Sequence, residues 1–506
     1  MSIKAKSKKI TSPVDSITPT ADYIAYFAAL HPTTIAVVDE NLKVTYEKFN
    51  EDIEKFIEAA RQFKLKAGQI AAIEWTNLYE HWLWLLAFEA LGVTTITYTA
   101  NEVKVYWGDF DKIDLVICPK KHIHPNARKT HFITKAYFDK INASTPNITI
   151  PRKKLSPDMV VRIHCSSGTT GNVKRMGRTA KVHDVRIGQF QQAEGYNQSS
   201  QLLFHNGFSV QATYGRATAC IRMGGACVIS SSNIFPAIAQ NEISHICLLP
   251  NTLETALLDI PKSYKRPKYL SVLTFGASLS PKLRAQIYNN FATCIIESYG
   301  ANEVGFISTK SLDGMDIILP NVHVEVIDDD NEASFGKLGI VRIKGTSVIE
   351  GYLDDAGATA RMFKKGWFYP GDIGIMEDRH SLKLLGRADD LINIGGIKIN
   401  PTDYEDIINK LTNLKDLCVS SGLNDNGKNQ IWIAATLPPP MTLKDLKDIV
   451  DPRLPKIMGT INYINITEMP RTATGKLQRK KVKERIANVK RPAKELIKPP
   501  CSKLKH

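Results

Sequence analysis

The chain has 506 residues, 43% hydrophobic and 23% charged, with a formal net charge of +15. It is long enough to bury a large core in two or more domains, and the composition is that of an ordinary soluble globular protein. No stretch is apolar for long enough to span a bilayer, and Lys4, Lys6, Lys8 and Lys9 precede no apolar run, which excludes a secretory signal and makes the cytoplasm the expected location.

Ile35–Asp39 and Leu42–Tyr46 read as two strands around an Asp-Glu-Asn turn, and 46–63 has helical spacing. Ile70–Glu74 is a predicted strand, 78–91 a helix, and 93–98 and 115–117 are short apolar strands. Val160–His164, Ile246–Leu249 and Val272–Phe275 read the same way. Apolar strands alternating with helices predict an α/β fold of mostly parallel sheets covered on both faces. After Pro320 the texture changes, and 322–327 and 339–344 alternate like a smaller antiparallel sheet. A second break falls at 386–390, leaving about 115 residues, enough for another domain.

The eight cysteines are scattered, with no C-x-x-C pair, and read as buried, reduced thiols. Charge is concentrated at the ends. Residues 476–506 carry twelve Lys or Arg against two Glu, and the first ten residues carry four lysines and no acid. Such a tail suits nucleic acid, an anionic membrane or an acidic partner, or is simply a solvated terminus, the larger expectation.

Two segments bear on chemistry. The strand 160–164 runs into Ser166, Ser167, Gly168, Thr169, Thr170 and Gly171, with Lys174 beyond. Backbone N–H groups, hydroxyls and an ammonium around one concavity suit a polyphosphate, although the spacing is not that of a Walker A loop. A mobile Ser/Thr/Gly turn is the competing reading. Farther on, Tyr299 of Glu297-Ser298-Tyr299-Gly300-Ala301-Asn302-Glu303 offers an aromatic face to a purine, and Glu303 is a hard oxygen ligand suited to Mg²⁺.

The loop resembles the phosphate loop of the AMP-forming adenylating superfamily, which includes acyl-CoA synthetases, peptide-synthetase adenylation domains and luciferases. Val173 stands for the usual proline, and Arg175 for a glycine, adding a cation. Further stretches resemble the family's motifs in order. Gly276, Ala277 and Ser278 match the turn along the adenine; Tyr299, Gly300, Asn302 and Glu303 match Y-G-x-T-E. Asp372 of 367–372 matches the ribose-binding W-x-x-T-G-D, with Pro370 for Thr. Arg387 and Asp389 match the nucleotide-binding Arg and the hinge of G-R-x-D-D, Gly395 and Gly396 the second-step loop, and Lys476 the lysine of P-x-T-x-x-G-K.

The resemblance implies ATP-dependent activation of a carboxylic acid to acyl-AMP, with Lys476, Glu303 and Lys174 catalytic, Glu303 holding Mg²⁺, and transfer to a thiol, with CoA as the expected co-substrate. It also implies a large N-terminal domain over 21–388 with a small β-barrel-like subdomain, and a small mobile α+β C-terminal domain over 389–484. Basic tails at 1–20 and 485–506 flank them. His205, Asn206 and Phe208, with Gly300 and Ala301, match the acid pocket. No acid lies between Leu202 and Arg216, so an aryl or acyl acid is expected over an amino acid. Loading of an acidic carrier protein, amide formation and a non-catalytic nucleotide-binding role stay open, as do monomer and dimer.

Overall fold

The computed structural model describes residues 17–489 except 41, 75–76, 99–111, 120–126, 147–151, 153, 167–172, 231–232, 312, 329, 395–396, 415, 424–428, 456–459 and 472–476. The predicted hairpin forms from Ile35–Asp39 and Leu42–Thr45, and Thr45 then caps the helix Tyr46–Arg61 by accepting from Lys48 N–H. Tyr46, Phe49, Ile53, Phe56, Ile57 and Ala60, at helical spacing, are buried. The helix Leu78–Ala90 is apolar nearly all round, with Trp82, Trp84, Leu86 and Phe88 in the core, as a helix enclosed on every side requires.

These helices cover two sheets. In one, the strands Ile70–Glu74, Thr94–Tyr98, Leu115–Cys118, Thr130–Phe132 and Val160–Ser166 run parallel, and Lys174–Thr179 closes the edge antiparallel. In the other, six parallel strands reach from Ile35–Asp39 to Cys294–Ala301. The antiparallel strands beyond Pro320 do not form a detached sheet. They hydrogen-bond onto the parallel sheet through Gly305–Lys310 and Asp316–Ile318, because Cys294–Ala301 turns back in a hairpin. They still enclose an apolar core of their own, including Val324, Val341, Ile343, Phe368 and Leu382.

Past residue 390, the strands Leu417–Leu423, Asn429–Ala435 and Ile461–Asn465 carry the helices Pro401–Thr412, Leu443–Val450 and Arg479–Val489. Two clusters centred on Ile431, Ile433 and Leu446, and on Trp432, Val482 and Ile486, form their core.

Four expectations need correction. The first helix begins at Thr20, one residue inside the expected tail, and its buried hydroxyl meets Glu89 and Arg222. The last helix runs to Val489, past 484, because Ile486 fills the C-terminal core. The strand expected at 246–249 is only His245–Cys247, since Pro250 opens a helix and donates nothing to a ladder. Cys294 is exposed, although Cys118, Cys220, Cys227, Cys247 and Cys418 are buried, free thiols. Among the described residues no helix is long and apolar enough to cross a membrane.

Candidate active site

Val160–Ser166 and Lys174–Thr179 pair antiparallel, with Ser166 and Lys174 opposite each other at the tip. The segment 167–172, which includes Ser167, Gly168, Thr169, Thr170 and Gly171, lies outside the described residues, but its two ends are pinned together. Lys174 Nζ lies 3.4 Å from Tyr352 Oη and 4.8 Å from the centre of its ring. The same hydroxyl donates to Glu303 Oε1 at 2.7 Å. One phenol thus joins the phosphate-loop cation to the proposed metal carboxylate. Burial and the Glu303 charge push the Tyr352 hydroxyl upward, so it stays protonated and donates.

Tyr352 was not singled out in the sequence, because nothing local marks it. It is held in place by Arg175, whose guanidinium forms an ion pair with Asp354 and whose backbone carbonyl accepts the Leu353 N–H at 2.9 Å. Arg175 is buried, so its charge is neutralised there and is not an extra cation for phosphate, correcting the expectation.

On the neighbouring strands, Asp372 and Arg387 are cross-strand partners, 3.0 Å apart from Oδ1 to Nη1, and Tyr299 Oη donates to Asp372 Oδ2 at 2.5 Å. Three residues predicted from separate motifs therefore form one cluster. Burial and the Asp372 carboxylate push the Tyr299 hydroxyl up and keep it a donor. Gly371, at φ +80°, cannot carry a side chain, because a Cβ would sit 2.8 Å from Arg387 Nη2. At Gly300 a Cβ would meet Gly305 O at 2.5 Å, so the strand end beside Tyr299 stays bare. Gly276, Ala277 and Ser278 are exposed just past the strand Ser271–Phe275, which pairs with Cys294–Ala301. Asn302 is also exposed.

The expected acid pocket divides. His205 and Asn206 are half-buried, and His205 Nδ1 faces Ser230 O at 2.9 Å, which assigns the proton to Nδ1. Phe208, in contrast, is fully buried among Trp82, Phe204 and Tyr214, with ring centres 5.3 to 5.7 Å away. It belongs to the core beneath the pocket, a correction: the helix that follows draws its ring inward. Ala301 is half-buried beside Gly300.

Lys476 lies outside the described residues, but the base of its loop is closed by Gln478 N–H to Pro470 O at 2.8 Å and by pairing of Arg471 with Leu477. Arg479, three residues on, binds both Glu405 oxygens at 2.5 and 2.6 Å, donates to Val419 O at 2.9 Å, and lies 3.3 Å from Asp390. Asp389, in the single 3₁₀ turn Ala388–Asp390, is exposed. Gly395 and Gly396 fall outside the described residues, between the paired strands Ile392–Ile394 and Ile397–Ile399.

The donor set fits a nucleotide with Mg²⁺. Glu303, whose Oε1 accepts from Tyr352, would hold the cation, and among the described residues no group of three or more His, Cys, Asp or Glu could hold a metal.

A two-sheet α/β fold with these clusters defines an adenylate-forming enzyme. The model for the AMP-binding enzyme family matches residues 24–353, and the chain belongs to that family. It is 24% identical over 369 residues to 4-coumarate–CoA ligase 1 of Solanum tuberosum, covering 67% of each chain. It is 23% identical over 479 residues to 2-succinylbenzoate–CoA ligase of Bacillus licheniformis, covering 90% of this chain and 98% of the relative. ATP-bound MatB of Rhodopseudomonas palustris shares the fold, with a TM-score of 0.81 at 17% identity over 92% of this chain and 99% of that one. Both curated relatives are CoA ligases by name, and the family is one of AMP-binding enzymes.

Proposed function

We propose that the chain activates an aryl or acyl carboxylic acid as its acyl-adenylate in the cytoplasm and passes the acyl group to coenzyme A. The observation that carries this reading is the single Tyr352 hydroxyl shared by Lys174 and Glu303, which sets a phosphate-binding cation beside a metal carboxylate.

A carboxylate resists nucleophiles because it is charged and resonance-stabilised. Adenylation replaces one of its oxygens with a good leaving group and releases pyrophosphate. Charge accumulates on the phosphoryl oxygens during transfer, and catalysis consists of positioning and stabilising that charge. Mg²⁺, when bound at Glu303, neutralises phosphate charge. Lys174 and Lys476 add fixed cations, and Tyr299, Asp372 and Arg387 orient the nucleoside. Asp372 accepts from ribose through the lone pairs that Tyr299 and Arg387 leave. The unit beyond Asp389 has its own core, which suits it to turn about that exposed residue and present Gly395 and Gly396 for the second step.

The test is pyrophosphate release with ATP and Mg²⁺ over a panel of aryl, fatty and amino acids, with and without CoA, and with Lys476→Ala as the blank. Turnover with one acid class, raised by CoA and absent from the blank, is expected. Turnover raised only by a phosphopantetheinyl carrier protein replaces CoA as acceptor, and no release with any acid despite ATP binding overturns the reading.

A further inference from the structure

Four arginines, each 1–2% exposed, sit behind the two walls assigned to the acid. Arg162 donates from Nη2 to Phe208 O at 2.7 Å and to Thr97 Oγ1 at 3.0 Å, and its guanidinium lies 3.8 Å from the centre of the Tyr214 ring. Arg186 donates to the carbonyls of Ser347, Asn302 and Glu303 at 2.9, 3.0 and 2.7 Å. Arg216 pairs with Glu194 at 2.7 Å and reaches Ser298 Oγ at 3.3 Å. Arg178 Nη1 lies 3.2 Å from His183 Nδ1, its one side-chain hydrogen bond among the described residues. Arg162 thus supports one wall, Arg186 and Arg216 support the other, and Arg178 completes the set.

Arg186 and Arg216 are satisfied or paired, apart from Arg216 Nη1; Arg162 and Arg178 are not. They stand directly opposite each other on paired strands, the cross-strand arrangement that like charges disfavour. Neither has an ion pair among the described residues. Among the described residues, Arg162 Nε and Nη1, Arg178 Nε and Nη2, and His164 Nε2 are buried with no hydrogen-bond partner. His164 is two residues from Arg162 and so shares its face of the strand. Burial and the charges of Arg178, Arg162 and Arg186 depress its imidazole, which stays neutral. Buried cationic donors left unsatisfied are costly, and the forked guanidinium matches a carboxylate.

We propose that the acid carries a second carboxylate, received by Arg162 and Arg178 with His164 beside them, so that the substrate is a dicarboxylic acid. This rests on the adenylating reading above. One carboxylate faces Glu303 and Lys174 for activation. The other lies beside the strand Val160–Ser166 that leads into the phosphate loop, where its two oxygens accept from both guanidiniums and its charge lowers their mutual repulsion.

The test compares matched pairs in the pyrophosphate assay on the full chain: benzoate with phthalate and with 2-carboxyphenylacetate, and hexanoate with adipate. Within at least one pair the diacid is expected to lead by about 100-fold in kcat/KM. Arg162→Met and Arg178→Met should collapse that ratio toward 1, mainly through the diacid KM, with partial return in Arg162→Lys. A wild-type preference for the monoacid in every pair, or a diacid preference that folded Met variants retain, overturns the proposal. If a variant fails to fold, the wild-type ratio decides. Thermal melts with each diacid and no ATP separate this proposal from the catalytic one. A rise in Tm with phthalate or adipate in the wild type but not in Arg178→Met supports the second-carboxylate site even without turnover. No rise together with no turnover overturns it.

Discussion

Tyr352 shows how one atom organises the proposed phosphate end. Its hydroxyl accepts from Lys174 and donates to Glu303, so Tyr352→Phe keeps the ring and removes both links. About tenfold lower kcat/KM for ATP is expected, near 1.4 kcal/mol, with half-saturation by Mg²⁺ moved to higher concentration. A Mg²⁺ titration of pyrophosphate release measures this, and an unchanged curve would remove Tyr352 from the site. Lys476 is predicted to act in one half-reaction only. Lys476→Ala should lower adenylation by at least about 100-fold while leaving thioester formation from supplied acyl-adenylate, since the role assigned to this cation ends once pyrophosphate departs. Loss of both half-reactions would refute that division.

At the scale of elements, Arg479 ties the last helix to the helix Pro401–Thr412 through Glu405, to the strand Leu417–Leu423 through Val419 O, and to the turn Ala388–Asp390 through Asp390. Arg479→Met strands the largely buried Glu405, and breaking one half of such a pair costs about 3–5 kcal/mol. Chemical denaturation should show the C-terminal unit unfolding earlier, and Arg479→Lys should restore little, because an ammonium does not reproduce the bidentate fork. The same staple fixes the residue three positions beyond Lys476, so adenylation should fall along with stability. The motif predicted that an arginine stands here, but not that three elements meet on it.

For the whole molecule, the buried histidines set acid sensitivity. Burial and the charge of Arg162 push His81 down to about 3, and burial with neighbouring arginines pushes His164 and His183 well down. Unfolded histidine takes up a proton near pH 6.5. Below that value the unfolded chain binds protons that the folded chain refuses, so each such histidine lowers stability as pH falls, by about 1.4 kcal/mol per unit. Glu89 and Glu194, pushed up by burial, act in the opposite sense. The His81 contribution is isolated by comparison: the loss of stability from pH 7.5 to 5 should be about 2 kcal/mol smaller in His81→Gln than in the wild type. Equal slopes would show that His81 protonates in the fold. A second prediction at this scale concerns rotation about Asp389. Because Asp389 is exposed, Asp389→Pro should leave Tm within a few degrees yet slow one half-reaction far more than the other; equal slowing of both would argue against a hinge there.

Much of this protein was legible in one dimension. Apolar runs of strand length between helical patterns predicted the parallel sheets, because periodicity and burial are local consequences of residue order. The ordered motifs around Lys174, Tyr299, Asp372 and Arg387 marked a candidate site, since tight turns and charged side chains at set spacings leave a local signature. Tertiary structure alone decided how those marks combine. Lys174 and Glu303 meet through Tyr352, and Tyr299, Asp372 and Arg387 close into one cluster. Arg175 turns away to Asp354, Phe208 sinks into the core, and Arg162 faces Arg178 across a ladder. Each outcome depends on strand register and on which face a side chain occupies, where a shift of one residue would reverse every partner.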